Sequence, residues 1–301
     1  MSCCKTYRPS SGPRRLYLQN AAGVRYDLNG KDGVWATDPA GLGVDLSPTY
    51  GDLGQGFFTT LEDYSEPQAS VGFTVIFTDR AMAYTQYQDL TRWIAAAGGS
   101  LLLVYDPCGV GEYYRRVSLS YLRKTEKTQL GWLEIPAEFK CLTPWYQSAT
   151  VDVSMQPRNE AALRYAFRYD RARFDTSRAD VYSVLLQAAG DVPAAVELSF
   201  TGEVLNPVLT LVGASSGTLY GRCAIATTLS GRDRLEYSSA YFDSYCRKIS
   251  GKEITDLDDY INPASEPFFR IPPSEACILR LTGQTIKGDA TARLYTHYRT
   301  V

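Results

Sequence analysis

Along this chain hydrophobic and polar residues alternate far more often than they recur at helical spacing. Val71, Phe73, Val75 and Phe77 fall on one side of a period-two run, as do Leu133, Ile135, Ala137, Phe139 and Cys141 of a nine-residue alternation. That period places successive side chains on opposite faces of a strand, so both runs predict half-buried antiparallel strands. Pro136 sits on the polar side of the second run and predicts an edge or a bulge there. Arg15–Gln19 and Val24–Leu28 read as a strand pair, and Leu101–Tyr105 is an apolar run too short for a helix. One segment breaks the rule. Ala83, Tyr87, Leu90, Ile94 and Ala97 are spaced by four, three, four and three, which predicts a helix over about 79–97. Thr78 or Asp79 can cap its start, and Gly98-Gly99 ends it.

From Asn29 to Gly56 the chain is rich in Gly, Asp and Pro and reads as a long loop, a kind of segment that is usually functional. Beyond residue 150 short strand patterns recur: Leu163–Tyr169, Val181–Gln187, Ala195–Phe200, Val208–Val212, Thr218–Thr228, Arg234–Tyr241, Ala276–Leu281 and Ala290–Tyr298. Turn signals such as Ser215-Ser216-Gly217 and Ser250-Gly251-Lys252 separate them, the signature of a sandwich or jelly roll. A length of 301 residues exceeds what one core usually serves. The division predicted is residues 1–150, a linker over 151–159, and a second domain over 160–301. The fold class is therefore mainly β: a sandwich or barrel-like N-terminal domain with one packed helix, then a β-sandwich.

Composition narrows the chemistry. Lys and Arg total 31 against 33 Asp and Glu, a net charge of -2, without the basic surplus of a nucleic-acid binder. No apolar run approaches the roughly 20 residues of a membrane helix, and Met1–Lys5 lacks the apolar stretch of a signal peptide. A single histidine, His297, leaves few ways to build a triad or a zinc centre. Tyrosine is abundant at 22, pointing to strands and interfaces. Seven cysteines at 3, 4, 108, 141, 223, 246 and 277 form no C-x-x-C pair and read as reduced, structural thiols.

Each motif-like cluster fails as a site. The glycines around Gly41-Leu42-Gly43 are not followed by Lys-Ser/Thr and join no strand to a helix, so phosphate binding is excluded. Asp256-Leu257-Asp258-Asp259 lacks the loop spacing of a calcium site and reads as a solvated turn. Glu134 and Glu138 on one strand stand about 13 Å apart, wider than either glycosidase geometry. Arg14-Arg15 and Arg115-Arg116 are basic pairs without a basic background. No cofactor, metal or catalytic residue is expected, which leaves binding or assembly.

Specific blocks point further. Leu16–Asn20 through Tyr26–Leu28, the Trp35–Gly43 loop, Tyr84–Ile94 followed by Leu101–Tyr105, Tyr113–Val117, and Leu142-Thr143-Pro144-Trp145-Tyr146 occur in order. With them the first 146 residues resemble the N-terminal domain of the distal tail protein (Dit) family of long-tailed bacteriophages. Asn206–Leu209, Ile254–Asn262, Phe268–Pro273 and the final aromatic strand Leu294–Tyr298 resemble the family's galectin-like or jelly-roll domain. Ser274-Glu275 departs from it, where a glycine turn is expected.

The resemblance implies a structural virion protein of the siphophage tail tip, assembled in the bacterial host cytoplasm. It implies a hexameric ring joining the tail tube protein and tape measure to the tail-associated lysin or other baseplate proteins, with DNA passing through. It implies neither sequence-specific nucleic-acid binding nor membrane insertion. In the Asn29–Gly56 loop and the residue directly after it, Trp35, Asp38, Leu42, Tyr50 and Phe57 are the candidate contacts to a neighbouring subunit or ring. The alternative is a carbohydrate-binding sandwich for host-surface glycans, which would also use exposed aromatics.

Overall fold

The computed structural model describes residues 14–43, 49–52, 57–61, 69–79, 81–98, 101–108, 111–127, 132–147, 152–159, 180–263 and 266–301. The chain divides into two compact units, one of Met1–Ser148 with Tyr298–Val301 and the other of Ala149–His297.

The first unit is built from β1 (Arg15–Gln19), β2 (Arg25–Asp27), β3 (Val34–Ala40), the hairpin of β4 (Thr49–Asp52) and β5 (Phe57–Leu61), and β6 (Ser70–Phe77). After the helix α1 (Ala83–Ala97) come β7 (Leu101–Asp106), β8 (Tyr113–Leu122), β9 (Thr125–Lys127), β10 (Trp132–Cys141) and β11 (Trp145–Gln147). Antiparallel pairing runs in the order β2–β1–β7–β8–β10–β6–β3. The two ends of this sheet approach each other. Leu28 N donates to Leu16 O at 3.2 Å, Ala36 N donates to Leu28 O at 2.8 Å, and Asn29 bridges to Trp35. The result is a barrel-like wrap around one core.

Period two fills that core as expected, with Val71, Phe73, Val75 and Phe77 of β6 and Leu133, Ile135, Ala137 and Phe139 of β10 all buried. Ala83, Leu90 and Ile94 of α1 join the same cluster, and Tyr87 and Ala97 pack half-buried against it. The helix begins at Ala83 rather than 79. Asp79 still prepares its start, its carboxylate accepting from Ala81 N at 3.0 Å and Met82 N at 3.3 Å. Gly98 ends it in the left-handed region at φ 59.

Two readings are corrected here. The Asn29–Gly56 loop contains β3, a seven-residue strand paired along β6 with a register break between Thr37 and Ala40. Its Gly, Asp and Pro content hides a strand whose irregularity those residues create. Pro136 lies on a central strand rather than an edge, two residues before the bulge that shifts the β10–β8 register between Glu138 and Phe139. β10 pairs β9 over 132–134 and β8 from 137 onward, so Pro136 falls where the neighbouring strand breaks. A missing N–H is tolerated in that gap.

The second unit comprises β12 (Asp152–Asn159), β13 (Asp180–Leu186), β14 (Val192–Leu205), β15 (Val208–Gly213), β16 (Leu219–Ala224), β17 (Thr228–Leu229) and β18 (Asp233–Ser239). It continues with β19 (Ser244–Ser250), β20 (Glu253–Asp256), β21 (Cys277–Thr282) and β22 (Ile286–Tyr298). One sheet runs β20–β19–β18–β14–β22–β12, and the other runs β12–β13–β21–β15–β16. β12 serves both, pairing β22 through Met155 and β13 from Gln156. Residues 152–159, read from the sequence as linker, are thus a strand that switches sheets. Inward residues of both sheets, among them Val196, Leu198, Phe200, Leu209, Leu211, Leu279 and Leu281, form one core. At the ~25 cal/mol per Å² of buried apolar surface, such a continuous layer is the main force holding the sandwich closed. The expected strand Leu163–Tyr169 lies outside the described residues.

Glu275 accounts for the departure noted after Pro272-Pro273. Its carboxylate accepts from Ser215 N at 3.0 Å, Ser216 N at 2.7 Å, both serine hydroxyls and Tyr220 OH at 2.8 Å. Those donors hold the carboxyl down at about 2. A glutamate from one loop therefore staples the Ser215–Gly217 turn.

Candidate interaction surface

Of the five residues singled out in the N-terminal loop, Trp35 stands out. It lies on β3 and is 48% exposed, an unusual position for so large an apolar ring. Gly30, at φ 92, lets the indole lie against the backbone, since a Cβ there would come within 2.1 Å of Trp35 Cζ2. The turn beneath it is tied to the start of α1. Thr78 Oγ1 donates to Gly33 O at 3.1 Å, and Gln86 Nε2 donates to Asp32 O. Met82 and Tyr84, at that same end of the helix, are 48% and 50% exposed. Asp38 adopts φ 51 inside the register break of β3, a conformation that Asp tolerates better than most residues. Leu42 packs half-buried against the core, and its carbonyl accepts from Val301 N at 3.4 Å. Tyr50 and Phe57 sit on β4 and β5, paired to Thr59 and Asp52 respectively. Among the described residues this hairpin pairs only with itself, so Trp35 is not brought to it by any ladder.

A second surface was not singled out from the sequence. Tyr17 is registered opposite Val104, Val104 opposite Tyr114, and Tyr114 opposite Tyr146, giving one row across β1, β7, β8 and β11. Alternation turns this row away from the core that Leu16, Leu18, Leu103 and Trp145 enter; Val104 within it is fully buried, and Tyr17, Tyr114 and Tyr146 are half-buried. Tyr114 stacks on Tyr146 with centroids 5.8 Å apart, and the Arg25 guanidinium lies 5.3 Å from the Tyr17 ring. Arg25 also grips Glu112 with two bonds of 2.7 Å. That grip holds the Glu112 carboxyl below the usual carboxylate range, while burial raises the Tyr114 phenol. Tyrosine and arginine fixed in this way are the residue types that dominate protein interfaces. Each is an outward residue between inward ones (Leu16-Tyr17-Leu18, Tyr113-Tyr114-Arg115). That local signal exists, but the row itself depends on register.

The remaining candidates are structural. Arg115 is 1% exposed, donates from Nε to Thr143 O at 2.8 Å and stacks 5.5 Å from the Trp145 ring, so it faces the core and not a nucleic acid. Asp256 accepts from Asp258 N at 3.0 Å, a local turn. Among the described residues no group of three or more His, Cys, Asp or Glu is placed to hold a metal ion. The five described cysteines are free, with Cys223, Cys246 and Cys277 buried, Cys141 half-buried and Cys108 exposed. His297 is 4% exposed against Tyr241, whose ring lies 4.0 Å from the Arg270 guanidinium. No described helix is long and apolar enough to cross a membrane.

Residues 15–142 match the family described as "Distal tail protein, N-terminal domain". Among solved structures the chain is similar to a component of the phage p2 baseplate in its activated conformation with strontium. The identity is 13%, the TM-score 0.63, and 96% of this chain and 99% of that one are covered. The calcium form of that baseplate matches equally, with 13% identity and a TM-score of 0.63 over the same shares of each chain. The Dit protein (gp 19.1) of phage SPP1 matches at 11% identity and a TM-score of 0.53, over 93% of this chain and 98% of that one. At such identities the likeness is one of fold. No curated protein sequence matches the chain. Over residues 15–142 the N-terminal unit of this chain is thus similar to the distal tail protein N-terminal domain.

Proposed function

We propose that the chain is a structural protein of a phage tail tip or baseplate, and that six copies form a ring through which DNA passes. The observation that carries this reading is the match of residues 15–142 to the distal tail protein N-terminal domain. The fold likeness to a p2 baseplate component and to SPP1 Dit, which extends through the second unit, supports it. Residues 1–150 form the ring in this reading, and residues 160–301 form a peripheral galectin-like sandwich. The ring joins the tail tube and tape measure to the tail-associated lysin or other baseplate proteins.

Physical chemistry favours the same role. A net charge of -2 suits a duct that must not hold DNA, because phosphate affinity grows with each basic contact. One repeated head-to-tail interface closes a ring, and exposed Trp35 on β3 suits such an interface. Asp38, Leu42, Tyr50 and Phe57 follow it in sequence as the proposed contact segment, Leu42 being half-buried against the core. Light scattering of the purified chain should give six times the 33.4 kDa chain mass, and negative-stain images should show a ring with a central hole. A monomer at high protein concentration overturns the reading.

A further inference from the structure

We propose that Cys223 and Cys246 are a latent inter-sheet crosslink, which a peroxide oxidises to a disulfide that closes the open side of the second unit's sandwich. The two stand on opposite sheets, Cys223 on the edge strand β16 and Cys246 on β19. Both are free, fully buried and part of one core. At the far side of the sandwich β12 runs through both sheets, so unbroken backbone joins them there. At this side a short strap joins them through hydrogen bonds. Leu257 N donates to Cys246 O at 2.9 Å, and a 3-10 turn over Asp258–Tyr260 follows. Ala226 N then donates to Tyr260 O, and Asn262 N to Ala224 O, both at 2.9 Å. The strap thus starts on Cys246 and ends beside Cys223.

Side chains make the same link. Tyr237, registered opposite Cys246, packs on Phe269 with centroids 5.4 Å apart. Phe269 in turn covers Gly221, where a Cβ would fall 2.3 Å from Phe269 Cβ. Gly221 shares the buried face of β16 with Cys223. The two thiols interact directly, the Cys246 S–H directed at the Cys223 sulfur. That contact lowers the Cys223 pKa and raises that of Cys246, which makes Cys223 the nucleophile of the pair. Cys277, the other cysteine of this unit, is engaged elsewhere, its Sγ donating to Glu275 O at 3.7 Å.

One hydrogen peroxide balances the reaction. The Cys223 thiolate attacks a peroxide oxygen, the O–O bond breaks, and the departing oxygen leaves as water with the thiol's proton. Cys246 then attacks the sulfenic sulfur; the S–S bond forms, the S–O bond breaks, and the hydroxyl leaves with the Cys246 proton as a second water. Two thiols lose two electrons and two protons. Peroxide is barely larger than water, so a local opening of the strap admits it. In a reducing cytoplasm the pair stays open. That the bridge forms after release from a host cell rests on the proposed virion role, whereas its formation rests on the second unit alone. Closing a loop of about two dozen residues should raise the folding equilibrium constant on the order of 100-fold.

The test treats the full chain with equimolar hydrogen peroxide, alkylates it in urea and maps tryptic peptides by mass spectrometry. The expected result is peptide 223–232 joined to peptide 235–247 and released by dithiothreitol, with Cys277 alkylated. Urea unfolding of the second unit, followed by tyrosine dichroism, should show a raised midpoint that dithiothreitol abolishes and Cys246→Ala lacks. Should Cys246→Ala fail to fold, the peptide map of the unaltered chain decides. The proposal is overturned if both cysteines are recovered as alkylated thiols, become sulfinic acids without joining, or join other cysteines instead. A bridge that leaves the midpoint unchanged or lower also overturns it. A chain that stays monomeric yet forms the bridge overturns the ring and not the crosslink, and a ring whose two thiols stay reduced does the reverse.

Discussion

The lone histidine gives a prediction that can be read without ambiguity, because a chain with one His has one imidazole signal. His297 lies 4% exposed in β22, registered opposite Val192, and its carbonyl approaches Gly190 so closely that a Cβ there would fall 1.9 Å away. Burial pushes its pKa from 6.5 down to about 4, a hydrogen bond with the Tyr295 backbone opposes this, and the nearby Arg270 charge adds to it. A base whose folded pKa is depressed stabilises the fold fully above its unfolded pKa. That stability is lost as the pH falls from 6.5 toward 4. Linkage gives about 2.5 kcal/mol lost between pH 7.5 and pH 4.5 from this residue alone.

Carboxylates titrate in the same window, so His297→Gln is the reference. Its unfolding free energy should fall by about 2.5 kcal/mol less than that of the wild type over the same pH change. All four tryptophans (35, 93, 132 and 145) belong to the first unit, so the second must be followed by tyrosine near-ultraviolet dichroism. The direct measurement is the imidazole C2 proton in a histidine-labelled sample, expected to titrate near 4. A midpoint near 6.5, or a His297→Gln variant with unchanged pH dependence, would refute the reasoning.

Other perturbations probe the packing. Gly30→Ala combines a φ of 92 with a Cβ set against the Trp35 ring, so it should cost about 1–2 kcal/mol and turn the indole outward. Denaturation and a red shift of tryptophan emission check both effects. Phe200→Ala removes a fully buried ring packed edge-on to Tyr182 at 5.8 Å and should destabilise the second unit by about 3–5 kcal/mol in urea unfolding, leaving tryptophan emission of the first unchanged. Glu275→Gln loses the charge that gathers Ser215, Ser216 and Tyr220. Limited proteolysis should then cut faster near Ser215–Gly217. With a wild-type carboxyl held down at about 2, the staple should survive above the ordinary glutamate pKa and fail only in strong acid.

How much of this was legible in the sequence follows from what each pattern encodes. Alternation in β6 and β10 and the four-three stripe of α1 were readable because each records one buried face, and burial is a property of single residues. β19 was missed for the same reason: of Ser244–Ser250 only Cys246 is buried, so the strand leaves no alternating trace. β20 is exposed at all four positions and is marked only by the Gly251 turn before it. β3 was read as loop because Asp38 and Pro39 interrupt it where its ladder slips. Surfaces built from several strands are harder still. Tyr17 and Tyr146 are 129 positions apart and share a row only because three registers are each set by a core on the other face. The row of Arg247, Glu236, Ser199 and Thr291 across β19, β18, β14 and β22 has the same origin. A one-residue slip in any of these strands would turn its outward residue inward. The hydrophobic residues that choose the register therefore decide which polar residues meet, although they touch none of them. That is why a sequence with no catalytic motif can still fold a specific, charged and pre-ordered surface from residues that look unremarkable one at a time.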